Sequence, residues 1–273
     1  MGLIGRGRER GLRGLSIDQN SGLTYCASHD RILCLDERFA IQDYFSNRFL
    51  GGLHEIHCHE DMLYITSTKF DAIVQWDIKS HKFVRGIQFK FTENKEQLQA
   101  LQFDPEKKRC ALKSGSRLHL NNVFVDDRGI FTHGTKINKL MYCDWDLSIS
   151  EVMHLQCLAH NVVPFKQGVL FNNTDYNHAT YKELDSGKEK VYHNAKINKR
   201  KVKNIELPDS IARVGFARGL CWNDEFLCSG SSPANVSLFD IKTGLLLRNV
   251  IIDYDKRFAI HGLEMLPDKI FRE

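Results

Sequence analysis

The chain has 273 residues, 42% of them hydrophobic, and its 38 basic against 34 acidic side chains leave a net charge of +4. Length and apolar content suffice for a sizeable core in one or two domains, while so small a positive surplus gives no reason to expect a nucleic-acid partner. No run of 18 apolar residues is present, so the sequence excludes a transmembrane helix and with it a membrane-spanning role.

The chain opens with MGLIGRGRERGLRG. That stretch lacks the apolar centre of a secretory signal and has Arg6 where myristoylation needs Ser or Thr. Its GRGRERG is Gly-rich, but no helix follows to make a phosphate loop. Beyond it, helical periodicity is almost absent. Short apolar runs alternate with turns, as in an all-β chain. Six runs open alike: RGLSID at Arg13, LHEIHC at Leu53, LHLNNVFV at Leu118, AHNVVPF at Ala159, RGLCW at Arg218 and IHGLEML at Ile260. Each sets a cationic or imidazole side chain ahead of apolar residues, namely Arg13, His54, His119, His160, Arg218 and His261. Their separations are 41, 65, 41, 58 and 43 residues, and the two long ones contain polar insertions at 91–117 and 196–213.

Between openings the runs share one grammar. After LHEIHC come MLYITST, AIVQWDI and KFVRGIQF; after RGLCW come EFLCSGS, NVSLFDI and LLLRNVII. The third run ends in an Asp that suits a tight turn. Four antiparallel strands in about 40 residues is the period of a β-propeller blade. The sequence therefore predicts an all-β propeller, one domain over residues 1–273, with five complete four-stranded blades and an incomplete sixth position that places His261 on an inner strand. Six openings against five sets of following strands imply missing N-terminal strands, because an incomplete blade exposes hydrogen-bonding edges.

The segments RGLSIDQNSGLTYCASHDRILCLD, LHEIHCHEDMLYITSTKFDAIVQWD, HLNNVFVDDRGIFTHGT, AHNVVPFKQGVLFNNTD and FARGLCWNDEFLCSGSS resemble, in order, the blades of a largely uncharacterised bacterial β-propeller family. Segments of that family read H-D-L-A…L-W-F-V-N-T-R-F, H-L-N-G-L and R-G-L-A-F. The resemblance covers nearly the whole chain and is specific at the strand openings. It implies a fold without implying a reaction, and family members usually carry further N-terminal strands. More distantly, NNVFVDDRGIFTHGT is similar to the N-D-V-x-V-D-x-x-G-x-x-Y segment of gluconolactonase- and strictosidine-synthase-like propellers. That similarity implies an Asn here that helps to hold a divalent metal in a central channel.

In a propeller the first strand of each blade lines the channel, so the six anchors would form a ring. His54, His119, His160 and His261 are then the expected ligands of a divalent Fe, Zn, Cu or Mn. Three ligands with an open water position would be the catalytic pattern. Arg13 and Arg218 would hold the carboxylate or phosphate of a small anionic substrate, and Asn121 and Asn161 would add hydrogen bonds to it. Strand alternation puts His119 and Asn121 on one face and turns Asn122 away, as it turns Glu55 and His57 away from His54. The expected function is a metal-dependent hydrolase, lyase or isomerase acting on a small polar or anionic molecule. Polar channel groups often serve only to bridge backbone through water. A non-catalytic scaffold that binds a protein or peptide through the 91–117 and 196–213 insertions is therefore the alternative. Eight cysteines without C-x-x-C spacing, mostly inside strand-like runs, point to reduced thiols in a cytoplasmic protein. Trp76, Trp145 and Trp222 are expected in the core between blades.

Overall fold

The computed structural model describes residues 11–94, 97–110, 112–210 and 212–266. The GRGRERG start lies outside them, apart from Gly11. Among the described residues the protein is an all-β propeller chain whose sole helical feature is a 3₁₀ turn at Lys199–Lys201. No helix is long and apolar enough to cross a membrane. The chain folds as two compact units, chiefly Gly11–Gln156 and Cys157–Met265.

The first unit holds three blades. Blade one is the meander β1 (Leu15–Ile17), β2 (Thr24–Ala27), β3 (Arg31–Leu35) and β4 (Ile41–Ser46). Blade two runs β5 (Leu53–His59), β6 (Met62–Ser67), β7 (Ala72–Asp77), β8 (Lys82–Phe91) and β9 (Leu98–Phe103). Blade three is β10 (Leu120–Asp126), β11 (Gly129–Gly134), β12 (Lys139–Asp144) and β13 (Ile149–His154). The second unit holds blade four, β14 (Ala159–Phe165), β15 (Gly168–Asn173), β16 (His178–Glu183) and β17 (Glu189–His193). It also holds blade five, β18 (Leu220–Trp222), β19 (Phe226–Ser231), β20 (Asn235–Asp240) and β21 (Leu246–Ile251).

Burial follows position within a blade. The middle strand β7 is buried at five of six residues, whereas the outer strands β4 and β21 are exposed almost throughout. Middle strands bury both faces because a blade is packed on both sides, and strand alternation divides their side chains between two cores. Ile65, Val74 and Trp76 join Tyr25 and Ile32 of blade one. Their neighbours Tyr64 and Ile73 join Val123, Val125 and Ile130 of blade three. Each fully buried Ile or Val contributes about 1.5–3 kcal/mol, so the joints between blades carry most of the apolar stabilisation in this unit.

The third-strand Asp turns form as the sequence suggests. Asp77 accepts from Ser80 N at 2.7 Å, and Asp240 accepts from Thr243 N at 2.6 Å. Asp36 and Asp144 make the same device, accepting from Ala40 N at 2.9 Å and Ser148 N at 2.7 Å.

Three expectations change. Blade two has five strands, because the 91–117 insertion contributes β9 to the edge of β8. Gly86 in β8 makes this possible: a Cβ there would lie 2.1 Å from the Phe103 ring. The sixth opening is not an inner strand. Residues 258–266 have no ladder partner, and their backbone bonds to blade five through Ile260 N, which donates to Ser231 O at 3.3 Å. A strand needs a neighbour of its own blade, and among the described residues none follows. Trp145 is 39% exposed, its indole N–H donating to Asp127 O at 3.0 Å, so it lies outside the core that takes Trp76.

Candidate functional site

Five of the six polar openings sit at or just before the first strand of a blade, and within each unit side chains of one opening reach the next. In the first unit, Arg13 Nη1 donates to Leu53 O at 2.8 Å and to His54 Nε2 at 3.0 Å. Gly14 permits this approach. Its N–H donates to His54 O at 3.0 Å, and a Cβ at Gly14 would lie 2.5 Å from that same oxygen. The second unit repeats the arrangement. Arg218 Nη1 donates to His261 Nε2 at 2.7 Å, and a Cβ on Gly219 would meet Ile260 Cγ2 at 2.8 Å. Thus R-G in one opening and His in the next form one joint, made twice at separations of 41 and 43 residues.

This geometry fixes the state of the imidazoles. A guanidinium is a donor only, so His54 and His261 accept at Nε2 and carry their proton on Nδ1. A cation competing for His54 Nε2 would meet the Arg13 guanidinium there, and like charges at that distance repel. Partial burial also lowers the Arg13 pKa.

His119 lies one residue before β10 with φ of 55°, its Nδ1 3.1 Å from Ser116 Oγ. The His54 and His119 rings are 5.8 Å apart, edge to face. In the second unit His160 packs edge to face on Phe216 at 5.6 Å, and the Arg218 guanidinium lies 4.3 Å from the same ring. These contacts add cation–π and aromatic attraction to the joint.

The asparagines hydrogen-bond to groups of the scaffold. Asn161 Oδ1 accepts from Gly219 N at 2.9 Å and from Asn172 Nδ2 at 3.1 Å, which ties blade four to blade five. Asn172, wholly buried, completes the tie by donating to Gly219 O at 3.0 Å and accepting from Ser229 Oγ at 2.8 Å. Asn121 Oδ1 is 3.2 Å from Nδ1 of the buried His133 on β11. The alternation argument that paired His119 with Asn121 does not hold here. A β-bulge interrupts β10 between Leu120 and Asn122, and the positive φ of His119 is not extended backbone.

Several residues at the joints carried no sequence signal. Asp71 is buried, and its carboxylate accepts from Leu118 N at 2.9 Å and Leu120 N at 3.2 Å, pinning the third opening. Burial raises its pKa despite those bonds. His57, expected to face away from His54, accepts Val125 N–H at Nδ1 over 3.1 Å, and burial draws its pKa down to about 4. Burial alone takes His133 down to about 3. A match between a turn Asp, an in-register His and the next opening is legible only once blade register is known.

Among the described residues, one other cluster has metal-ligand chemistry. His59, Glu60 and Asp127 bring a ligand atom each within 4.8 Å of one another, at the turns after β5 and β10. Both carboxylates are exposed to water, and His59 Nε2 lies 3.3 Å from Asp127 Oδ1.

Against known proteins, no family model and no curated protein matches the sequence. The fold does match. A solved structure titled as the nidogen/laminin complex superposes with a TM-score of 0.62 at 10% identity, covering 95% of this chain and 86% of that one. At that identity the likeness supports the β-propeller fold alone.

Proposed function

We propose that the protein is a non-catalytic propeller that docks an acidic segment of a protein partner on the basic loop of its second insertion. The observation that carries this reading is the staple beneath that loop. Lys256, 4% exposed, extends its ammonium to Leu207 O at 2.6 Å and Asp209 Oδ1 at 2.8 Å. Lys203 N donates to Tyr254 O at 2.9 Å and Lys203 O accepts from Lys256 N at 3.1 Å, while Lys196, Lys199, Arg200, Lys201 and Lys203 are exposed, and the Asn198 side chain accepts from Arg200 N at 3.0 Å to cap the 3₁₀ turn. A charged loop held from below offers its cations at little further ordering cost on binding, and clustered positive charge steers an acidic partner toward it. The openings, by contrast, spend their polar groups on one another.

The test is a fluorescence-anisotropy titration with a labelled glutamate-rich peptide. Binding should weaken steeply with salt, and the triple reversal K199E/R200E/K201E should weaken it by more than tenfold with an unchanged circular dichroism spectrum. Equal binding by the reversal variant would sink the reading, as would a preference for an RNA oligonucleotide over the peptide.

A second reading, metal-dependent chemistry on a small anionic substrate, draws on the His54–His119 separation of 5.8 Å. Two imidazoles bound to one ion at roughly 2.0–2.1 Å stand about that far apart. Elemental analysis of protein purified without a histidine tag separates the readings. Stoichiometric metal that H119A loses favours chemistry; a metal-free parent that binds the peptide favours docking.

A further inference from the structure

Cys221 on β18 and Cys228 on β19 oppose each other directly in the antiparallel ladder, and both are free thiols. Flanking bonds from Gly230 N to Gly219 O (2.9 Å) and from Asn223 N to Phe226 O (3.0 Å) set the pair at a hydrogen-bonded position. Cα atoms there lie about 5.5 Å apart, inside the roughly 4.4–6.8 Å that a disulfide bridges. Cys221 is buried, whereas Cys228 is partly open to solvent. The Cys221 thiol donates a hydrogen bond to the Cys228 sulfur, which pushes the Cys221 pKa well up and draws that of Cys228 down.

We infer that Cys221 and Cys228 form a reversible redox pair, in which Cys228 reacts with a hydroperoxide and Cys221 resolves the product. The Cys228 thiolate attacks one oxygen of hydrogen peroxide and breaks the O–O bond. The departing hydroxide takes a proton to become water, and Cys228 is left as a sulfenic acid. Cys221 then gives up its proton and attacks the Cys228 sulfur. The S–S bond forms, the S–O bond breaks, and a second water leaves. Two thiols are oxidised and one peroxide is reduced. The bond must draw the Cβ atoms nearer than the ladder holds them, and a bond under that strain is readily reduced again. It would close two residues from Gly219, whose N–H is tied to Asn161, so oxidation loads the strand that carries the Arg218 joint.

Trypsin releases both cysteines, and no others, in one peptide between Arg218 and Lys242. The folded protein is treated with hydrogen peroxide, alkylated with N-ethylmaleimide and digested. The expected peptide is lighter by two hydrogens, takes no label, and recovers two labels after dithiothreitol. Cys221→Ser should instead leave Cys228 as a sulfenic acid that dimedone captures, and Cys228→Ser should keep Cys221 alkylatable when unfolded. The inference is overturned if the parent peptide keeps two alkylatable thiols, or if it passes to sulfinic acid without cross-linking. Oxidation of Cys221 in Cys228→Ser as fast as the parent reacts would also overturn it.

Discussion

Arginine at the first and fifth openings, Arg13 and Arg218, is chosen over lysine for a geometric reason. One guanidinium can reach a backbone carbonyl and a neighbouring imidazole together, as Arg13 does with Leu53 O and His54 Nε2, whereas an ammonium is a compact point charge. A double-mutant cycle on Arg218→Ala and His261→Ala should therefore return a coupling of about 1 kcal/mol in urea denaturation, within the range for contacting pairs. Simple additivity of the two substitutions would show that the 2.7 Å contact contributes nothing. Asp71 makes a stronger demand. Asp71→Ala leaves the Leu118 and Leu120 amides without their acceptor, and each such loss costs about 1–3 kcal/mol. The loss should appear as a lowered urea midpoint with an unchanged slope.

The strand elements were legible because a strand advertises itself locally, through alternation and through the Asp that ends each third run. The fifth strand of blade two was not. In TENKEQLQALQF the polar residues outnumber the apolar, and β9 forms because β8 offers an edge and Gly86 leaves a place for Phe103. The openings were legible as a set, yet their partners were not. The glycine after each arginine reads as a flexible residue until the next opening is seen lying against it. Asn121 escaped the alternation rule for a local reason, a bulge that no residue count reveals. Gly14→Ala tests this scale. Its added carbon meets three backbone atoms of the neighbouring strand at His54, Glu55 and Ile56 at 2.5–2.8 Å, which a side-chain rotation cannot relieve. A loss of about 1–3 kcal/mol is expected, the usual cost of overpacking.

Across the whole molecule, buried neutral histidines make stability depend on pH. His57 and His133 titrate near 4 and 3 when folded, against about 6.5 when unfolded. Below about pH 6.5 the unfolded chain binds protons that the folded chain refuses, so stability falls as pH falls, by about 1.4 kcal/mol per pH unit for each group. For His57 the physical reason is direct, since protonating Nδ1 removes the lone pair that accepts Val125 N–H. Burial of Glu264 raises its carboxyl pKa to about 7 and opposes one of the two histidines over this range, so urea midpoints should still drop toward pH 4.5, with the net slope of about one group. His133→Leu should flatten part of that slope.

We propose a structural role for the polar openings and partner binding at the 196–203 loop. The most direct measurement is a peptide-anisotropy titration of K199E/R200E/K201E beside H119A, both checked for native circular dichroism. The loop variant should lose affinity by more than tenfold, and H119A should bind as the parent does. Loss of binding in H119A with full binding in the loop variant would contradict this and return the site to the openings.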